Sequence, residues 1–141
     1  MYSTTQSDDL GPAGHNAPCS NKDFDFFYAG LERGELLVQK CRGCGALRSL
    51  PSPACGQCRS LEWDAVPLSG AGVVHAYTIH HHPPLPGFET PHPVAVADMI
   101  EGVRLMGAMD GTPPDELSVG MPIRVEFTRR GQVAAYRFRP A

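Results

Sequence analysis

The 141-residue chain has almost no lysine: Lys22 and Lys40 are the only two among 12 basic residues, and 15 acidic residues leave a net charge of −3. That balance offers no electrostatic case for nucleic acid or an anionic membrane surface as partner. No apolar run approaches the ~18 residues of a membrane span. Met1 to Asn21 lacks a basic start, an apolar core and a cleavage site, so it reads as a loose polar tail rather than a secretory signal. No Ser-His-Asp order, glycine-rich phosphate loop or paired-acid motif appears, so no catalytic residue is expected in this chain. A cytoplasmic address with reduced thiols follows as an expectation.

Cysteine is what the chain does have, in one place. Cys41-Arg42-Gly43-Cys44 is separated by ten residues from Cys55-Gly56-Gln57-Cys58, with Cys19 the only other cysteine. Two Cys-x-x-Cys knuckles this close predict a four-thiolate metal site. Each knuckle turns tightly, brings two sulfurs to one ion and points backbone N–H groups at them. Zinc with four thiolates is tetrahedral and fully coordinated, so the site would fold a segment rather than catalyse. Iron of the rubredoxin kind shares the ligand set, and spacing alone does not separate the two. Paired Cys-x-x-Cys spacing suits neither a structural disulfide framework nor a thioredoxin-like redox pair. A segment of about 30 residues cannot bury enough apolar surface alone, and the metal would stabilise it instead. Cys19 sits in the tail and reads as a bystander.

Around this site the patterning divides the chain into a tail over 1–22, a helix over 23–34, a ribbon over 35–66 and a β-domain over 67–141. Asp23 is placed to cap a helix with Phe24, Phe27, Tyr28 and Leu31 at i, i+3, i+4 and i+7, ended by Gly34. Its crowded aromatics suit either this protein's own core or the surface of another subunit. Strands are expected over 35–40, 46–51 and 61–66, with Trp63 covering the metal site or its junction with the next domain. Further strands are expected over 73–81, 94–100, 103–109, 122–128 and 132–138. A proline-rich loop follows His82, Glu101-Gly102 makes a hairpin turn, and a helical turn falls near 115–119. Three strands in a meander, a short helical connection and a closing hairpin make the order of a five-stranded OB-fold barrel.

Two clusters tempt a functional reading. His80 and His82 would share a strand face, with His75 and His92 nearby, but no carboxylate sits at a compatible spacing to complete a metal or base site. Asp98 and Glu101 read as exposed turn residues rather than a catalytic pair. Arg124, Arg129, Arg130, Arg137 and Arg139 crowd the last two strands. They suit phosphate or an acidic partner on one reading, and solvated strand edges on the other.

The assembled order resembles a family of zinc-ribbon/OB-fold proteins described as acyl-CoA-associated. The residues that carry the resemblance are Phe27-Tyr28-Ala29-Gly30-Leu31 with Gly34 and Leu36, the two knuckles with Gly45, Pro51 and Trp63, and the strand of Gly70, Gly72, Tyr77 and Thr78. Glu101 to Leu105, Gly120-Met121-Pro122 with Val125, and Phe138-Arg139-Pro140 complete it, over about 23–141. The resemblance implies structural zinc on Cys41, Cys44, Cys55 and Cys58. It also implies a non-catalytic companion subunit in a hetero-oligomer with a thiolase-fold enzyme, either a steroid side-chain aldolase or an acyltransferase, or with a hydratase-type partner. Acyl-CoA would be received at the shared interface; no substrate-binding residue is carried over. A single-stranded nucleic-acid-binding module, the other common use of ribbons and OB barrels, is the alternative.

Overall fold

The computed structural model describes residues 22–84 and 88–141; the expected tail, with Cys19, lies outside them. The fold is mainly β with one short helix. Helix α1 (Asp25–Glu32) leads into strand β1 (Leu37–Cys41), which pairs antiparallel with β2 (Leu47–Arg48) on one side and β3 (Trp63–Pro67) on the other. The second sheet is built from β4 (Ala71–His80), β5 (His92–Met99), β6 (Arg104–Ala108), β7 (Pro122–Arg130) and β8 (Val133–Pro140). Its strands lie in the order β6-β5-β4-β7-β8. A parallel bridge between Met109 and Phe138 closes the sheet, with the Asp110 N–H donating to the Phe138 carbonyl at 2.9 Å. A meander, a 3-10 turn at Pro114–Glu116 and a closing hairpin thus wrap into an OB-type barrel.

Several expected boundaries move for local reasons. The helix cap falls on Phe24, which has no side-chain oxygen to offer, rather than on Asp23. Asp25 in the first turn still complements the helix dipole. The return strand of the ribbon shrinks to two residues, because the Gln39 side-chain carbonyl accepts the Ser52 N–H at 2.9 Å and holds the chain away from the ladder. Pro93, expected in a loop, lies inside β5 opposite Ile79. It is tolerated because it stands just past the end of the β5–β6 pairing, where its carbonyl still accepts the Met109 N–H at 3.0 Å. The expected turn at 115–119 is shorter and begins at Pro114, with Pro113 at the cap position. Asp98 is a strand residue of β5, not a turn residue.

One core serves both sheets. Leu31 of α1, Leu36 and Val38 at the start of the ribbon, and Val74, Ala97, Ile123 and Phe138 of the barrel belong to a single buried cluster. Alternation sets this up: in β5, Pro93, Ala95, Ala97 and Met99 are buried while their neighbours are half-exposed. Gly72 lets β4 approach β5, since a Cβ there would stand 2.6 Å from the Asp98 carbonyl oxygen. The aromatic helix residues split between the two sheets, answering why they cannot share one face. Phe26 packs on Trp63 of the ribbon at a centroid distance of 4.9 Å, and Phe27 meets Tyr136 of the barrel edge-on at 6.0 Å. The helix is a wedge at the junction.

Candidate metal centre

β1 delivers Cys41 at its end, the turn after it delivers Cys44, and the loop between β2 and β3 carries Cys55 and Cys58. The four sulfurs lie within 4.8 Å of one another, with Cys41–Cys58 and Cys44–Cys55 at 3.5 Å. A tetrahedral ion with bonds of ~2.3 Å would set its sulfurs roughly 3.8 Å apart, so the cluster already has the dimensions of a four-thiolate zinc site. Cys41 and Cys55 are buried, while Cys44 and Cys58 sit on the solvent side. The Gly43 and Gln57 N–H groups donate to the Cys41 and Cys55 sulfurs at 3.3 and 3.4 Å. A Cβ on Gly43 would come within 3.0 Å of the Cys58 sulfur, so the knuckle needs glycine there.

Electrostatics favour the thiolate at Cys55 and Cys41. The backbone N–H groups of Cys58 and Gln57 draw the Cys55 thiol down to about 6. The Cys44 N–H lowers Cys41, with Cys58 and the Gly43 N–H adding to it. Cys44 moves the other way: the Ala46 N–H favours its thiolate, but its hydrogen bond with Cys55 and burial outweigh this and push it up to about 11. Four thiols this close compete for protons, and a divalent ion resolves the competition by taking all four as thiolates. The donor set, its size and its N–H support fit zinc; every position of a tetrahedron is filled, so no coordination site is left for substrate.

Trp63 lies opposite Cys41 in the β1–β3 ladder and lines a cleft of about 180 Å³ with Phe26, Gln39 and Ser52. It joins ribbon to helix. The histidine run does not assemble into a site. β4 ends at His80, whose Nε2 lies 2.6 Å from the Pro83 carbonyl, and His81 and His82 are exposed beyond it. His92 instead stacks against Phe88 at 4.6 Å.

The arginine cluster is largely internal wiring. Arg137 reaches both Glu126 and Asp110, Arg139 reaches Glu126, and Arg129 clamps Glu32 of the helix and the Gln132 carbonyl. The Glu32 and Asp110 partners lie 97 and 27 residues away in the chain, and the Glu126 pairs depend on the β7–β8 register, so none is visible in the local pattern. Sequence reading also missed the row His75–Asp98–Arg104, in which Asp98 accepts from Arg104 at 2.6 Å and lies 2.9 Å from His75 Nδ1. The register that sets Asp98 opposite Arg104 was implicit in the Glu101-Gly102 hairpin.

A rubredoxin-like ribbon packed on an OB barrel defines the class, and comparison with known proteins agrees. The model of the ChsH2 rubredoxin-like zinc ribbon domain matches residues 29–64, and that of the ChsH2 C-terminal OB-fold domain matches 65–128. A chain of the solved Ltp2-ChsH2(DUF35) aldolase superposes with a TM-score of 0.83 at 36% identity, covering 87% of this chain and 98% of that one. The chain belongs to the ChsH2/DUF35 family. Two longer relatives are also similar. The probable enoyl-CoA hydratase alpha subunit of Thermomonospora curvata is 35% identical over 98% of this chain and 44% of its own length. The 3-oxo-4,17-pregnadiene-20-carboxyl-CoA hydratase alpha subunit of Mycobacterium tuberculosis is 35% identical over 94% of this chain and 42% of its own length. The chain therefore spans less than half the length of these curated relatives. No helix among the described residues is long and apolar enough to cross a membrane.

Proposed function

We propose that this chain is a non-catalytic accessory subunit, stabilised by zinc on Cys41, Cys44, Cys55 and Cys58, in a hetero-oligomeric acyl-CoA enzyme of the cytoplasm. Its partner is a thiolase-fold subunit, either a steroid side-chain retro-aldolase or an acyltransferase, and the shared interface receives the CoA thioester. The observation that carries this reading is the similarity over nearly the whole of one chain of the Ltp2-ChsH2(DUF35) aldolase. The two hydratase alpha subunits, named for CoA thioesters, point to the same substrate class. A closed four-thiolate centre supports a structural rather than a chemical use of the metal.

The pairing of the barrel arginines speaks against the nucleic-acid alternative. Arg129, Arg137 and Arg139 are neutralised by Glu32, Glu126 and Asp110, which removes the free basic stripe that a single strand requires. The reading is tested by assaying acyl-CoA cleavage and condensation with the chain alone, with a thiolase-fold subunit from the same host, and with both. Activity that needs both chains supports it. Turnover by this chain alone overturns it.

A further inference from the structure

A second feature shares no residue with the thiolate cluster. Where α1 crosses the barrel, a cavity of about 250 Å³ opens between Phe27, Tyr28, Met106, Ala108 and Tyr136, and the charged side chain on its wall is Arg130. Its lining is otherwise apolar or aromatic. Tyr136 spends its hydroxyl on the Met106 carbonyl at 2.6 Å, and burial pushes its pKa up to about 12, so it stays neutral.

Arg130 differs from its neighbours on β7 and β8. Arg129, Arg137 and Arg139 each hold a carboxylate, and Arg124 is exposed. Arg130 is half-buried and stacks on the Phe88 ring at 3.6 Å, yet no acceptor among the described residues meets its guanidinium. Burial presses its pKa below the ordinary arginine value, the mark of a cation held partly out of water. A half-buried guanidinium retains five directed N–H donors, and those of Arg130 stay open to solvent and to a ligand rather than being sealed in the core. Its planar fork is suited to a carboxylate or phosphate.

We infer that this cavity binds a small amphiphile, an apolar chain ending in an anion, with the chain against Met106, Ala108 and Tyr136 and the head on Arg130. The volume lies just below the ~300 Å³ at which drug-sized sites begin, so the occupant is short, roughly eight carbons. Carboxylate and phosphate heads share this chemistry. The site stands apart from the proposed accessory role and does not depend on it.

The test titrates octanoate, octyl phosphate, octanol and octylamine into the full 141-residue chain and follows the methyl resonances of Met106 and Ala108. Octanoate or octyl phosphate should give saturable shifts at both methyls, while octanol binds more weakly and octylamine not at all. The tighter of the two anions identifies the head group, and either outcome upholds the site. Arg130→Gln should weaken anion binding about tenfold, the worth of a charge-assisted hydrogen bond. Ala108→Leu should abolish it by filling the cavity while Arg130 remains. An unshifted resonance of the buried Met99, which neither substitution adjoins in sequence, confirms that the variants fold. If either variant is misfolded, the comparison of octanoate with octylamine on the unaltered chain decides. Equal affinity for octanol and octanoate, no effect of Arg130→Gln in a folded variant, or an unmoved Met106 methyl overturns the inference.

Discussion

Gly45 and Arg59 hold the same place in two copies of one turn. Each lies four residues after the first cysteine of its knuckle, and each donates its N–H to that cysteine's carbonyl at 2.9 Å. The two cysteines also match: the Cys41 N–H is bound by the Ala46 carbonyl and the Cys55 N–H by the Ser60 carbonyl, five residues on, at 2.9 Å in both cases. The ribbon thus presents its metal from two nearly equivalent halves. They differ in one respect. The position needs a left-handed backbone, with φ of 75° at Gly45 and 64° at Arg59, and only the first half uses glycine.

Arg59→Gly should therefore stabilise the ribbon by roughly 0.5–1 kcal/mol, because a residue with a Cβ pays about 1–2 kcal/mol for that conformation and glycine returns part of the gain as entropy. Gly45→Ala should cost about 1 kcal/mol through backbone strain alone, since an added Cβ meets nothing within 4 Å. Denaturant melts in excess zinc measure both. Opposite signs for the two substitutions agree with the paired-turn description; equal signs contradict it.

Removing one thiolate should undo folding and metal binding together. Cys44→Ser is expected to weaken zinc by at least the ~10–100-fold that outer-shell changes cost, and to loosen the ribbon and any partner assembly in parallel. Metal content by mass spectrometry and proteolysis of the ribbon report the two effects. A variant with full zinc content and an intact complex would show that Cys44 is not a ligand.

Arg48 is a cost without a visible return. Its three guanidinium nitrogens are buried, with no hydrogen-bond partner among the described residues, on the short strand opposite Gln39. Arg48→Met should raise stability by about 1 kcal/mol or more, because an apolar chain of similar length removes an uncompensated buried charge. Thermal melts of the zinc-loaded protein check it. A lower melting temperature would mean that the guanidinium is satisfied in solution.

Acid should loosen the closing hairpin through Glu126. Hydrogen bonds from Arg137, then Arg139, hold its carboxyl below the usual 4.5. A carboxylate depressed on folding stabilises above its unfolded pKa and loses that contribution as pH falls through the lower, folded value. The decline therefore begins near pH 4.5 and continues below it. Glu126→Gln should flatten this limb of the stability–pH curve; an unchanged slope would remove Glu126 from the account.

Much of this was legible in the chain itself, and the reasons are local. The knuckles announce themselves because ligand chemistry fixes residue type and spacing within four positions. The barrel order follows from alternation and from turns such as Glu101-Gly102, which need no tertiary information. The strand boundaries at Pro93 and Arg48 were not legible, because the Met109 bond and the Gln39–Ser52 bond that set them come from distant segments. The same holds for the helix: Phe26 and Phe27 look redundant in sequence, and only the ribbon and barrel on either side give them separate partners. The cavity beside Arg130 had no sequence signature, since its walls come from α1, β6, β7 and β8 together.

The most direct test of the central claim is to purify the tagged chain from its native host under mild conditions and identify what accompanies it by mass spectrometry. The account predicts a thiolase-fold subunit in fixed stoichiometry with a zinc-loaded, colourless ribbon protein. Co-purifying RNA, or a chain that remains alone, would contradict it.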